Sequence, residues 1–75
     1  MIKNTMDKMQ INQEGIVKKI SLESPMYRRF LDIGLAEGTN IECILIALGN
    51  GMKAYRIKGA TIGIRKEDAQ MIEIE

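Results

Sequence analysis

A chain of 75 residues holds one small domain with a modest core, and 45% hydrophobic with 28% charged residues is the composition of a chain that folds. Eleven Lys plus Arg against ten Asp plus Glu leave a net charge of +1, which supplies no global field for a polyanion and argues against general nucleic-acid binding. With no His and a single Cys, the chain lacks the commonest general acid–base side chain and the donors of a conventional zinc or iron site.

The lone cysteine, Cys43, cannot form an internal disulfide, which fits a reducing compartment and points to the cytoplasm. The first ten residues contain no apolar run of signal-peptide length, and no segment approaches the ~20 apolar residues that span a bilayer, so neither export nor membrane embedding is expected.

In chain order, residues 1–13 are polar and weakly patterned, with Met6, Met9 and Ile11 the interior apolar side chains, and are expected as a flexible or loosely packed segment ahead of a domain over 14–75. From Gly15 the run GIVKKI reads as a strand with Ile16 and Ile20 on one face, although Lys18 then shares that face. Next come the helix signals. Ser24 is placed to cap, Pro25 suits a first helical position, and Gly34 can adopt the left-handed conformation that ends a helix, which predicts a short helix near 25–33. Tyr27, Phe30 and Leu31 would form its packed face, with Ile33 and Leu35 continuing the contact, while Arg28 and Asp32 are spaced to pair.

After a turn at Glu37-Gly38, Ile41, Cys43 and Leu45 alternate with Glu42, as in a half-buried strand; the alternation fails at Ile44 and Ile46, as if the outer face there were covered. Gly49, Asn50 and Gly51 supply hairpin chemistry leading into the return strand MKAYRIKG. In that strand Tyr55 and Ile57 oppose Ala54, Arg56 and Lys58, and Gly59 allows a tight turn into ATIGIR, where Ala60, Ile62 and Ile64 share a face and Gly63 points away, leaving room for a neighbour. One helical turn near 66–69 precedes a last strand with Ile72 and Ile74 alternating with glutamates. About five short antiparallel strands of this size bury an interior economically only by curling, so the fold is expected to be mainly β, a small SH3-like barrel.

The segment RRFLDIGLAEGTNIEC, together with the closing run ATIGIRKEDAQMIEI, resembles the FeoA domain family. The matching positions are Arg29, Phe30, Ile33, Gly34, Leu35, Gly38, Ile62, Arg65, Ala69 and Ile72, with Gly15 as the early glycine. Two departures are Glu37, where the family often has Pro, and the GNGM hairpin in place of a Gly-Asp-Pro type loop. The resemblance implies a non-enzymatic cytoplasmic accessory protein of bacterial ferrous iron uptake. Such a protein would act by direct binding to the transporter FeoB at the cytoplasmic face of the membrane. The same domain type occurs at the C-terminus of iron- and manganese-dependent repressors; this chain has no room for a winged helix, so the free-standing form is expected.

Candidate partner-binding residues are Tyr27, Arg28 and Arg29, types enriched at interface hot spots, and Asn50 and Met52 of the hairpin, since loops on a rigid barrel carry recognition. The plainer reading makes Tyr27 core and Arg28 a partner of Asp32, and leaves Arg29 without a local partner. The alternatives are a ferrous or manganous ion-binding module and a generic SH3-like peptide-binding module. Glu67, Asp68, Glu73 and Glu75 offer hard oxygen ligands without visible convergence, so neither a metal site nor a cofactor is assigned. Single-strand RNA binding would require aromatic platforms and excess basic charge, and 4% aromatic residues do not supply them. No nucleophile–base pair or phosphate-cradling glycine loop points to an enzyme.

Overall fold

The computed structural model describes residues 4–45 and 51–75. A 3-10 turn at Met6–Lys8 precedes β1 (Glu14–Ile20), α1 (Tyr27–Asp32), β2 (Asn40–Leu45), β3 (Met52–Ile57), β4 (Ala60–Arg65), α2 (Lys66–Ala69) and β5 (Ile72–Ile74). The strands form one antiparallel sheet in the order β4-β3-β2-β1-β5, curled in the manner of an SH3-like barrel. Phe30, Leu35, Ile41, Cys43, Tyr55, Ile57 and Ile72 fill its interior.

The β3–β4 hairpin follows from its two-residue turn. Lys58 and Gly59 have φ of 49° and 83°, the paired positive values that a type I′ turn requires, and Ile57 closes against Ala60. Ala60 is exposed at that turn, Ile62 is half-buried and Ile64 is buried, so the expected inner face of β4 deepens along the strand.

The ladder slips at two places, and at the first an expected face changes. In β1 the register shifts between Val17 and Lys19, so Gly15 and Val17 point inward before the shift and Ile20 points inward after it. Ile16 is therefore exposed rather than sharing a face with Ile20. In β2 the register shifts between Cys43 and Leu45, where the alternation of the sequence fails. Ile46 lies outside the described residues, as do Gly49 and Asn50 of the expected hairpin.

The helix is shorter than expected. Ser24 caps a turn that precedes it: its Oγ accepts from the Met26 N–H at 3.1 Å and its carbonyl from Tyr27 N–H at 3.1 Å, so the helix begins at Tyr27. Of the expected apolar face only Phe30 is buried; Tyr27 is half-buried and Leu31 is exposed, because six residues present little more than one contact to the core. The helix ends as the sequence predicts. Gly34 has φ of 99°, Leu35 N–H donates to the Phe30 carbonyl at 2.8 Å and Gly34 N–H to Leu31 at 3.1 Å, the paired bonds of a Schellman motif with Phe30 and Leu35 as its apolar contact.

The largest correction concerns the leading segment. From residue 4 onward it is part of the packed body: Met6 is 0% and Met9 2% exposed, and long side chains of β3 hold its backbone. Tyr55 Oη donates to the Met6 carbonyl at 3.0 Å, and Lys53 Nζ donates to the carbonyls of Asp7 and Met9 at 2.5 and 2.9 Å. Thr5 donates to the Asp7 carboxylate, and Thr5 bridges Glu73 of β5, with Ile74 N–H donating to the Asn4 carbonyl at 2.8 Å. The segment is thus a strap along β5. Gly15 lets Ile74 of β5 lie against β1: a Cβ there would lie 2.5 Å from Ile74 Cγ2, while Met9 Cε of the strap, at 3.5 Å, would be in ordinary contact.

Candidate functional site

The short helix α1 does not seal the barrel where it faces β4. Between them runs a depression of about 360 Å³, lined on the α1 side by Met26, Arg29, Phe30 and Ile33 and on the sheet side by Met52, Ile62, Gly63, Ile64 and Arg65, with Asp68 of α2. Each wall has a local cause. The Schellman end of α1 turns the chain inward, which leaves Ile33 half-buried rather than covered. The helical turn α2 follows directly on Arg65 and brings Asp68 back to the same place.

The floor is apolar and the rim is basic. Met26, Ile33 and Ile62 pack against the core while remaining partly open, and Arg29 and Arg65 are exposed. Among the described residues neither arginine forms an ion pair, in contrast with Arg56, whose Nη1 lies 3.3 Å from Glu42 Oε1 across the β2–β3 ladder. That exposed pair contributes no more than about 1 kcal/mol, but it occupies its guanidinium.

Of the candidates named from sequence, the structure brings Arg29 and Met52 together in this groove. Tyr27 packs half-buried beside the core and Arg28 is exposed, neither lining the groove, and Arg28 forms no ion pair with Asp32 among the described residues. Asn50 lies outside the described residues. Sequence reasoning missed Met26, Arg65 and Asp68 as members of one site, because they come from three elements whose approach no local pattern encodes. A partial signal existed: Arg29, Phe30, Ile33, Ile62 and Arg65, all positions that carry the FeoA resemblance, line the groove together.

Among the described residues no group of three or more Cys, Asp and Glu side chains is gathered to hold a metal ion, and no helix is long and apolar enough to cross a membrane. Burial, with Cys43 and Asp7 adding to it, pushes the Tyr55 phenol above its ordinary range, so it serves as a hydrogen-bond donor to the strap.

A curled five-stranded sheet carrying an apolar groove with a basic rim defines a small SH3-like domain. The FeoA domain family matches residues 4–75, and the chain belongs to that family. Its backbone is similar to that of a FeoA-like protein from Clostridium acetobutylicum, with 29% identity, a TM-score of 0.87, and coverage of 100% of this chain and 88% of the other. It is similar also to FeoA of Stenotrophomonas maltophilia, at 12% identity and a TM-score of 0.82 over 95% of this chain and 88% of that one. That protein was solved with zinc and is put forward as a prokaryotic SH3 domain protein activating ferrous iron transport. A manganese-dependent transcriptional repressor aligns at 25% identity and a TM-score of 0.85, covering 95% of this chain and 40% of the repressor. No curated protein matches.

Proposed function

We propose that the chain is a non-enzymatic accessory protein of bacterial ferrous iron uptake that works in the cytoplasm by docking on the transporter FeoB through the groove between α1 and β4. The observation that carries this reading is the pairing of exposed Arg29 and Arg65 with a partly open apolar floor on a domain of the FeoA family. An apolar centre with arginine at its edge is the composition of a protein-binding hot spot. To regulate the transporter the domain must bind its nucleotide states unequally, since a ligand with equal affinity for two states shifts neither.

The test is a binding isotherm of the native protein and its Arg29→Glu variant with purified FeoB, loaded with GDP or with a non-hydrolysable GTP analogue. Binding that differs between nucleotides and weakens about tenfold or more in the variant is expected, since reversing a charge at an interface removes an attraction and adds a repulsion. Absence of binding in both states, with the variant and native protein equally folded, overturns the reading.

A further inference from the structure

β4 is an edge strand: its one ladder partner among the described residues is β3. In a two-residue hairpin the closing pair exchanges both hydrogen bonds, and bonded and non-bonded pairs then alternate. Ile57 and Ala60 close this hairpin, so Ala60, Ile62 and Ile64 direct their backbone groups toward β3, and Thr61 and Gly63 direct theirs outward. Both are exposed, and no backbone bond to either from outside the β3–β4 ladder occurs among the described residues. The free edge runs along the wall of the groove, where Ile62, Gly63, Ile64 and Arg65 are lining residues.

From this juxtaposition we propose that the groove takes an extended, acidic and apolar segment of a partner protein, added to the sheet as a strand beside β4. The inference rests on the reading of the groove as a protein-docking site and specifies how docking occurs. Among the described residues Thr61 and Gly63 each leave an N–H and a C=O unpaired, and strand addition draws its affinity from such groups. Gly63 lacks a side chain that would crowd the incoming backbone. Alternate residues of the added strand would continue the inner face set by Ile62 and Ile64, over a floor shared with Met26 and Ile33. The intervening residues would lie beside Arg65, with Arg29 facing them from α1, and Asp68 offsets one of these two charges. Carboxylates therefore fit that face and lysines do not. The same charges disfavour a second copy of this chain as the occupant, because edge-to-edge pairing would set two basic rims against each other.

The experiment uses the full chain, isotopically labelled, and a short synthetic peptide alternating valine and glutamate. One control peptide carries lysine in place of glutamate; a second is N-methylated at every other backbone nitrogen on the edge that would face β4. Strand addition predicts slowed amide exchange and shifted resonances at Thr61 and Gly63 with the valine–glutamate peptide. It also predicts binding about tenfold weaker for the lysine peptide, from two like-charge contacts in place of two attractive ones. The methylated peptide should not bind, because it has lost its donors. Equal binding of the methylated peptide, a preference for lysine, or no response at Thr61 and Gly63 overturns the proposal. None of these results touches docking on FeoB, which the isotherms measure separately: FeoB bound without strand addition leaves that reading standing, and a bound peptide without FeoB binding removes it.

Discussion

The two edges of the sheet are treated differently. β5 is closed by the strap: Thr5 bridges Glu73, Asn4 accepts from Ile74, and Met6 and Met9 are sunk in the core beneath. β4 has nothing along its outer edge among the described residues, and exposed Arg29 and Arg65 stand beside it. An open edge is a liability in a small β domain, and nearby charge restricts what can add to it. Among the described residues one edge is closed and the other is open with basic side chains beside it. Substitutions on the strap side should therefore act on stability, and substitutions on the groove side on binding.

The largest effect is expected from removing the strap. Deleting residues 1–12 exposes the core that Met6 and Met9 cover; two fully buried methionine side chains at about 1.5–3 kcal/mol each give a loss of about 3–6 kcal/mol in urea unfolding. A loss under about 1 kcal/mol would mean that the segment is not part of the packed body. Gly15→Ala should follow, at about 1–3 kcal/mol, because the new Cβ meets Ile74 Cγ2 at 2.5 Å and the Ile74 side chain of β5 must shift to admit it.

Tyr55→Phe should lose about 1 kcal/mol at neutral pH with the bond to the Met6 carbonyl. It should also change the alkaline limb of the stability curve. The folded phenol is held protonated above its ordinary value of 10.0, so its contribution is complete below that pH and is lost as the unfolded chain ionises above it. In a series of urea unfolding curves, the native protein should weaken more steeply than Tyr55→Phe above about pH 10. Equal slopes would show that the phenol does not carry the effect. The smallest stability change, within about 0.5 kcal/mol, is expected for Arg65→Ala, an exposed side chain without an ion pair among the described residues, although binding of the acidic peptide should fall severalfold in the same variant. A destabilisation above about 1 kcal/mol would give Arg65 a structural role instead.

What was legible in the sequence follows from the range of each signal. Gly34 and the turn at Gly59 were readable because positive φ is a local demand that few residues meet, although Lys58, expected in the strand, shares that turn, and the alternation of Ile72 and Ile74 was readable because a period of two survives in a short strand. The face of β1 was misread at Ile16 though not at Ile20, since the register shift after Val17 leaves no mark in the side-chain pattern that a simple alternation would detect. The strap was hidden for a different reason. Its anchors are Lys53 and Tyr55, 44 to 49 residues away, and its methionines have no helical or strand period. The groove stands between these cases: Arg29 was named from residue type and Met52 from its place beside the expected hairpin, but their neighbourhood with Arg65 exists only after β4 and α1 meet.

The most direct measurement is amide hydrogen exchange of the full chain alone and bound to FeoB. The groove and open-edge account predicts slowed exchange at Thr61 and Gly63 on binding, with the amides of residues 5–9 and of β5 unchanged. Slowed exchange confined to the strap and β5, with Thr61 and Gly63 unaffected, would contradict it.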